Sequence, residues 1–149
     1  MKPTRIVIDT NVCLDLFVFR DPRWTELRAA LQEGRVEAVT RADCRTEWLI
    51  VLEYSHLPLD ADSRPIAAAQ FDALITCLPP DLLQPRAEIL LPLCKDPDDQ
   101  KFLELARDAR AQTLITKDKA LLRLGKRTAR AGLFSIVSPE RWLPVKMPH

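Results

Sequence analysis

The sequence predicts a parallel α/β fold, and three observations carry that prediction. Short apolar runs rich in β-branched residues recur at Ile6–Ile8, Val36–Val39, Thr113–Thr116 and Phe134–Val137, as in strands buried on both faces of a parallel sheet. Stretches with helical spacing separate these runs, which is the alternation of a βα architecture. Nothing in the 149 residues reads as an internal repeat, a low-complexity tract or a linker, so one domain spanning 1–149 is expected.

The first strand ends abruptly at Asp9, which Thr10 and Asn11 follow. Asp9 has two readings. In open α/β sheets ligands bind beyond the carboxyl ends of strands, and Asp is also a favoured helix N-cap. Val12–Phe19 is mostly apolar and opens a helix or turn. Asp21-Pro22 looks like a fresh helix start, cap and first position together. Trp24, Leu27, Ala30 and Leu31 continue it at helical spacing, and Gly34 closes it. Val36–Val39 is the second strand. Asp43–Tyr54 is a longer helix whose apolar face, with Trp48, Leu49, Val51 and Leu52, is interrupted by Glu47.

His56–Asp62 is a loop around Pro58. A helix is expected over Pro65–Leu78, terminated by Pro79-Pro80. Residues 81–93 carry no assignable pattern. Cys94 to Gln100 leads into a helix over Lys101–Ala106, and Thr113–Thr116 is a strand ending at Lys117-Asp118. Ala120–Leu124 is a short helix closed by Gly125, and Phe134–Val137 is the last strand. Ser138-Pro139-Glu140 begins a terminal helical turn carrying Trp142.

A composition of 47% hydrophobic and 29% charged residues is that of an ordered globular domain. Cys13, Cys44, Cys77 and Cys94 form no C-x-x-C pair, which points to reduced thiols in a cytosolic protein. No charged segment leads into an apolar one, and no apolar run is long enough to span a bilayer. A cytoplasmic, membrane-free location is therefore expected. With only Gly34, Gly125 and Gly132 available, neither a Walker loop nor a G-x-G-x-x-G turn can be built.

The informative residues are acids at element boundaries: Asp9 after the first strand, Asp96, Asp98 and Asp99 at a helix start, and Asp118 after a later strand. Strand ends on one edge of a parallel sheet share a crevice with the N-termini of the following helices, so these acids converge. Glu47 is a fourth candidate. Gathered carboxylates repel and raise one another's pKa, and a hard cation such as Mg²⁺ or Mn²⁺ relieves them. Asp98 and Asp99 are equally good helix caps beside a favourable dipole. A haloacid-dehalogenase-type phosphatase would need a second acid two residues after Asp9, where Asn11 stands.

These residues resemble the PIN domain family, specifically the bacterial branch associated with toxin components of toxin–antitoxin systems. The resemblance runs from Ile6 to about Leu143. Ile8-Asp9-Thr10-Asn11-Val12 is similar to the family's opening motif, and Glu47 sits where its second acid belongs. Cys94-Lys95-Asp96-Pro97-Asp98-Asp99-Gln100-Lys101-Phe102-Leu103 resembles a D-P-D-D segment entering a helix. Leu114 to Leu122 is similar to the fourth motif.

The resemblance implies a Rossmann-like three-layer α/β/α sandwich and a metal-dependent ribonuclease. Asp9, Glu47, Asp99 and Asp118 would form the acidic centre, with Asp96 close by. RNA would be the substrate, cleaved to a 5′-phosphate and a 3′-hydroxyl. An antitoxin protein and a homodimer are the implied partners. A catalytically degenerate PIN fold acting as a binding module is the alternative, because a gapless match puts the third acid at Gln100. Counting forward favours Asp99, which places Phe102, Leu103 and Ala106 at i+3, i+4 and i+7 on a packed face. Asp98 is the fallback.

Only His56 and His149 are histidines, so a histidine base is not expected. Metal ions can replace it by lowering the pKa of a bound water and stabilising the leaving oxygen, one or two of them sufficing. Thr10, Asn11 and Thr116 are placed to orient water or a ligand around such a centre. Lys117, Lys119, Arg123, Lys126, Arg127 and Arg130 cluster beyond the fourth motif. They read either as a footprint for the RNA backbone, Lys117, Lys119 and Lys126 foremost, or as a solvated helix face. Trp24, Trp48 and Trp142 stand in apolar contexts and are expected in the core.

Overall fold

The computed structural model describes residues 3–142. His149 and the far end of the resemblance at Leu143 lie outside the described residues. The elements run β1 (Thr4–Ile8), α1 (Thr10–Phe17), α2 (Thr25–Gln32), β2 (Val36–Thr40), α3 (Ala42–Leu52), α4 (Ser63–Leu74) and β3 (Ile75–Cys77). After a long connection come α5 (Gln100–Asp108), β4 (Thr113–Ile115), α6 (Lys119–Leu122), α7 (Gly125–Arg130) and β5 (Ser135–Val137). All five strands are parallel, in the order β3-β2-β1-β4-β5.

That order fixes where a site can be. The chain starts in the middle strand, steps outward through β2 and β3, then returns to lay β4 on the other side of β1. The strand order therefore reverses between β1 and β4, and the crevice at their carboxyl ends is where such sheets bind ligands.

Alternation along β1 divides the core in two. Ile6 and Ile8 face one way, into a cluster with Val12, Leu16, Leu27, Trp48 and Phe71 from α1 to α4. Val7 faces the other way, against Phe102, Leu103, Ala106 and Leu121 of α5 and α6. Helices thus cover both faces of a parallel sheet, the predicted three-layer α/β/α sandwich. Trp48 stacks on Phe71 at 4.9 Å, and Phe17 meets both edge-on at 6.0 Å, which fastens α1, α3 and α4 together. Trp24 is buried and Trp142 is half-buried against the same cluster, so the tryptophans are core residues as expected.

Four expectations need correction. The helix expected over Pro65–Leu78 stops at Leu74, and Ile75–Cys77 is a fifth strand pairing with β2. Ile75 turns to φ −123° and ψ 119° without any intervening turn, so no glycine or proline announced the change. The helix expected to follow Asp21 directly begins with a 3₁₀ turn at Pro22–Trp24. Gly125 opens α7 and does not close the preceding helix. A side chain there would meet the Ile136 carbonyl at 3.1 Å, so this glycine permits close approach to β5. Ser138 accepts amides of Arg141 and Trp142 in a turn, not a helix. Among the described residues no helix is long and apolar enough to cross a membrane.

Candidate metal centre

Asp9 sits at the carboxyl end of the central strand, 4% exposed. Both sequence readings apply to it. Its Oδ1 accepts the Thr10 amide at 2.7 Å and so caps α1, while its Oδ2 accepts the Thr116 hydroxyl at 2.7 Å. Thr116 is fully buried, and its Oγ1 also accepts the Asp118 amide at 3.0 Å. One hydroxyl therefore ties the end of β1 to the end of β4. Burial raises the Asp9 carboxyl to about 6, the hydrogen bonds from Thr116 and Thr10 oppose the rise, and the charges of Glu47 and Asp118 add to it.

The third motif forms a 3₁₀ turn at Pro97–Asp99 leading into α5. Its three aspartates have different surroundings. Asp96 is exposed, and its Oδ1 caps the turn by accepting the Asp98 amide at 3.0 Å. Asp98 is exposed, and the helix cap expected of it belongs to Asp96. Asp99 alone turns inward, where its carboxyl meets that of Asp118. Burial raises Asp99 to about 7, helped by the shared hydrogen bond with Asp118 and by the charges of Asp9, Asp118 and Asp96. Asp118 is held below the ordinary carboxylate range, chiefly by that bond and also by the Ala120 amide, which its Oδ1 accepts at 2.8 Å. Gln100 faces elsewhere: its Oε1 accepts the Cys94 amide at 2.7 Å and its Nε2 donates to the Pro92 carbonyl at 3.1 Å. It pins the long connection to the start of α5.

Glu47 joins this rim from α3. One carboxylate oxygen accepts a short hydrogen bond from the Thr10 hydroxyl, and the other pairs with Lys101 Nζ at 2.8 Å. Lys101 also donates to the Asp98 carbonyl and lies over the Phe102 ring. Burial pulls the Lys101 ammonium's pKa down, but the bond and charge of Glu47 raise it further. Sequence reasoning missed this lysine, although a signal existed. A cation in the first turn of a helix opposes the helix dipole, so Lys101 needs a compensating partner.

The basic residues separate in the same way. Lys117 pairs with buried Asp15 at 2.7 Å, and Asp15 also accepts the Trp24 Nε1 at 3.1 Å. Lys117, expected to meet RNA, is exposed and spends its charge on this pair. Lys119, Arg123, Lys126, Arg127 and Arg130 are exposed and pair with no carboxylate among the described residues.

Among the described residues, no three acidic, histidine or cysteine side chains stand close enough to make a ready metal cage. Most of the rim oxygens accept internal hydrogen bonds instead. The donor chemistry nevertheless fits a hard divalent ion. Asp9, Asp99 and Asp118 offer carboxylate oxygens alone, held near one another without a neutralising partner. The buried Asn11 Oδ1, next to Thr10, has no hydrogen-bond partner.

A parallel sheet with an acidic crevice at its topological switch point defines the class: an α/β domain whose site is built from carboxylates. The particular family follows from the sequence match. The PIN domain model matches residues 5–120, and the chain belongs to that family. PIN domains are generally nucleases that use divalent metal ions. The match ends before α7 and before β5, the strand that completes the sheet. No curated protein matches the chain.

Proposed function

We propose that the chain is a Mg²⁺- or Mn²⁺-dependent endoribonuclease, the toxin of a toxin–antitoxin pair. One observation carries this reading most. Asp9, Asp99 and Asp118 gather at the switch point, where burial and mutual repulsion raise two of them toward neutrality. A structural cluster of acids would be relieved by arginine or lysine. This one is left for a cation.

Asp9, Asp99 and Asp118 would hold the ion, with Asp96 at the margin. Bound there, Mg²⁺ or Mn²⁺ supplies Lewis acidity beside the phosphodiester. Thr116 fixes the Asp9 carboxylate, and Thr10 fixes Glu47. Asn11, whose buried oxygen has no partner, would orient a water or ligand beside the ion. Lys119 and Lys126, joined by Arg123, Arg127 and Arg130, present unpaired charge for the RNA backbone. The reading includes a single domain over 1–149, a cytoplasmic homodimer and an antitoxin protein as partner. The degenerate-module alternative rested on Gln100, and Gln100 serves the connecting loop.

Incubating the protein with single-stranded RNA and Mg²⁺ or Mn²⁺ tests the proposal. Fragments bearing 5′-phosphates are expected, and they should disappear on chelation. Cleavage that survives chelation, or survives Asp9→Asn, would overturn it.

A further inference from the structure

The acidic rim has four carboxylates but only one ion pair. Among the described residues, Asp9, Asp99 and Asp118 pair with no cation, whereas Glu47 is bound to Lys101 at 2.8 Å. The ammonium is held on three sides, by Glu47, by the Asp98 carbonyl and by the Phe102 ring. Both partners are mostly buried, at 19% and 28% side-chain exposure. This is not an idle surface pair, which would contribute little. It joins α3 to the first turn of α5, immediately beside Asp99.

We propose that Lys101 is a built-in cation of the acidic centre, cancelling Glu47 so that the rim takes one divalent ion and not two. The inference rests on the metal-dependent reading above. Four ionised carboxylates carry enough charge for two divalent ions, as in two-metal nucleases. With Glu47 neutralised, Asp9, Asp99 and Asp118 remain, and drawn together they would supply the charge and carboxylate oxygens for one hard ion that keeps some of its waters. Glu47 is then a positioning residue. Its free oxygen accepts the Thr10 hydroxyl, which holds the turn after Asp9, while the lysine supplies the positive charge a second ion would bring.

Mn²⁺ titration of the metal-free protein by calorimetry tests this without any turnover. The wild type should bind one Mn²⁺, and Asp9→Asn should weaken it by more than about tenfold, the least that disturbing even an outer partner of a ligand costs. Lys101→Met keeps the apolar stem over Phe102 and unmasks Glu47. It should bind Mn²⁺ more tightly or take up a second ion. The double variant Lys101→Met/Glu47→Gln removes a neutral pair, so it should return to one ion within about tenfold of wild-type affinity. Thermal melts verify that each variant is folded, and Glu47→Gln with Lys101 intact is a second route. There an unpaired ammonium beside the site should weaken Mn²⁺ more than the double variant does.

Two bound ions in the wild type would overturn the inference. So would a double variant as impaired as Asp9→Asn, or a Lys101→Met protein that binds like wild type. Mn²⁺ binding that ignores Asp9→Asn defeats the underlying site reading instead, and the two failures are distinct. A wild type that binds no Mn²⁺ overturns both.

Discussion

Asp9 and Asp108 are both buried aspartates, 4% and 7% exposed, one following β1 and the other on α5. Asp108 ends α5 and is fully provided for. Arg107 Nε donates to it at 2.8 Å, the Arg86 amide at 3.0 Å, and Arg41 stands 3.9 Å away. Asp9 has hydrogen bonds but no cation, and its nearest charged neighbours are Glu47 and Asp118. Burial therefore does not distinguish a structural acid from a functional one. The sign of its neighbours does.

The sharpest way to break this comparison is to neutralise each aspartate in turn. Asp9→Asn should abolish metal-dependent RNA cleavage while leaving metal-free stability level or higher, because it removes a repelled charge. Asp108→Asn should do the reverse, keeping cleavage and costing roughly 2–4 kcal/mol, since it strands Arg107 in a buried pair. Single-turnover cleavage and denaturant unfolding of both variants decide the matter. Equal loss of activity in the two would undo the contrast.

Next in size is the third motif. Asp99→Asn should lower cleavage far more than Asp98→Asn or Gln100→Ala. Gln100→Ala should instead lower stability by about 1 kcal/mol or somewhat more, because it frees the Cys94 amide and the Pro92 carbonyl. If Asp98→Asn kills cleavage and Asp99→Asn does not, the acid pair at the start of α5 has been misassigned.

The comparison also has a pH signature. Burial and neighbouring acids push the carboxyls of Asp9 and Asp99 up to about 6 and about 7, above the ordinary aspartate range. Between that range and these values the native state holds more protons than the unfolded chain. The contribution of these two carboxyls to the stability of the metal-free protein is thus fully present below about pH 4 and is lost as pH rises through about 7. For Asp9 alone the limiting slope is about 1.4 kcal/mol per pH unit. Urea titrations across that range should show the decline, with a smaller slope in Asp9→Asn. Saturating Mn²⁺ binds the ionised carboxylates and should reverse it. A flat metal-free profile would mean that burial and the neighbouring acids do not raise these carboxyls.

The smallest effects belong to the basic face. Lys119→Ala and Lys126→Ala should each weaken RNA binding and reduce its logarithmic salt slope by about 1. Lys117→Ala should act chiefly on stability through the loss of its partner from buried Asp15. Filter binding at several salt concentrations separates the two behaviours.

Strands β1, β2, β4 and β5 were legible because their β-branched runs stand apart from helical spacing. Strand β3 was not, because three residues follow α4 without a break and pair only through tertiary contact with β2. Legibility of the candidate site stopped at a similar boundary. The acids could be named from their positions at element ends, but not which of them face one another. Counting along the helix picks out Asp99 as the inward acid, but the 3₁₀ turn that makes Asp96 the cap and leaves Asp98 exposed is invisible to it. The Lys101–Glu47 pair joins two helices distant in sequence, and no local pattern encodes its geometry. Thr10 and Thr116 are expected from the sequence to orient water or a ligand, and in the fold they hold the carboxylates themselves.

The middle position of β1 has a consequence for motion. A strand hydrogen-bonded on both sides exposes its amides only when the whole sheet opens, so Ile6–Ile8 and Leu114–Ile115 should exchange their hydrogens last. Asp9 and Thr116 stand on that slowest part of the molecule. Asp99 instead follows the irregular connection from Leu78 to Asp96, where Leu82, Leu90 and Leu93 are exposed and backbone pairing is sparse. One wall of the crevice is therefore anchored in the sheet while the other rides on a segment held by side chains of α5: Gln100, Arg107 and Asp108. Of the two walls, the second is the one freer to yield.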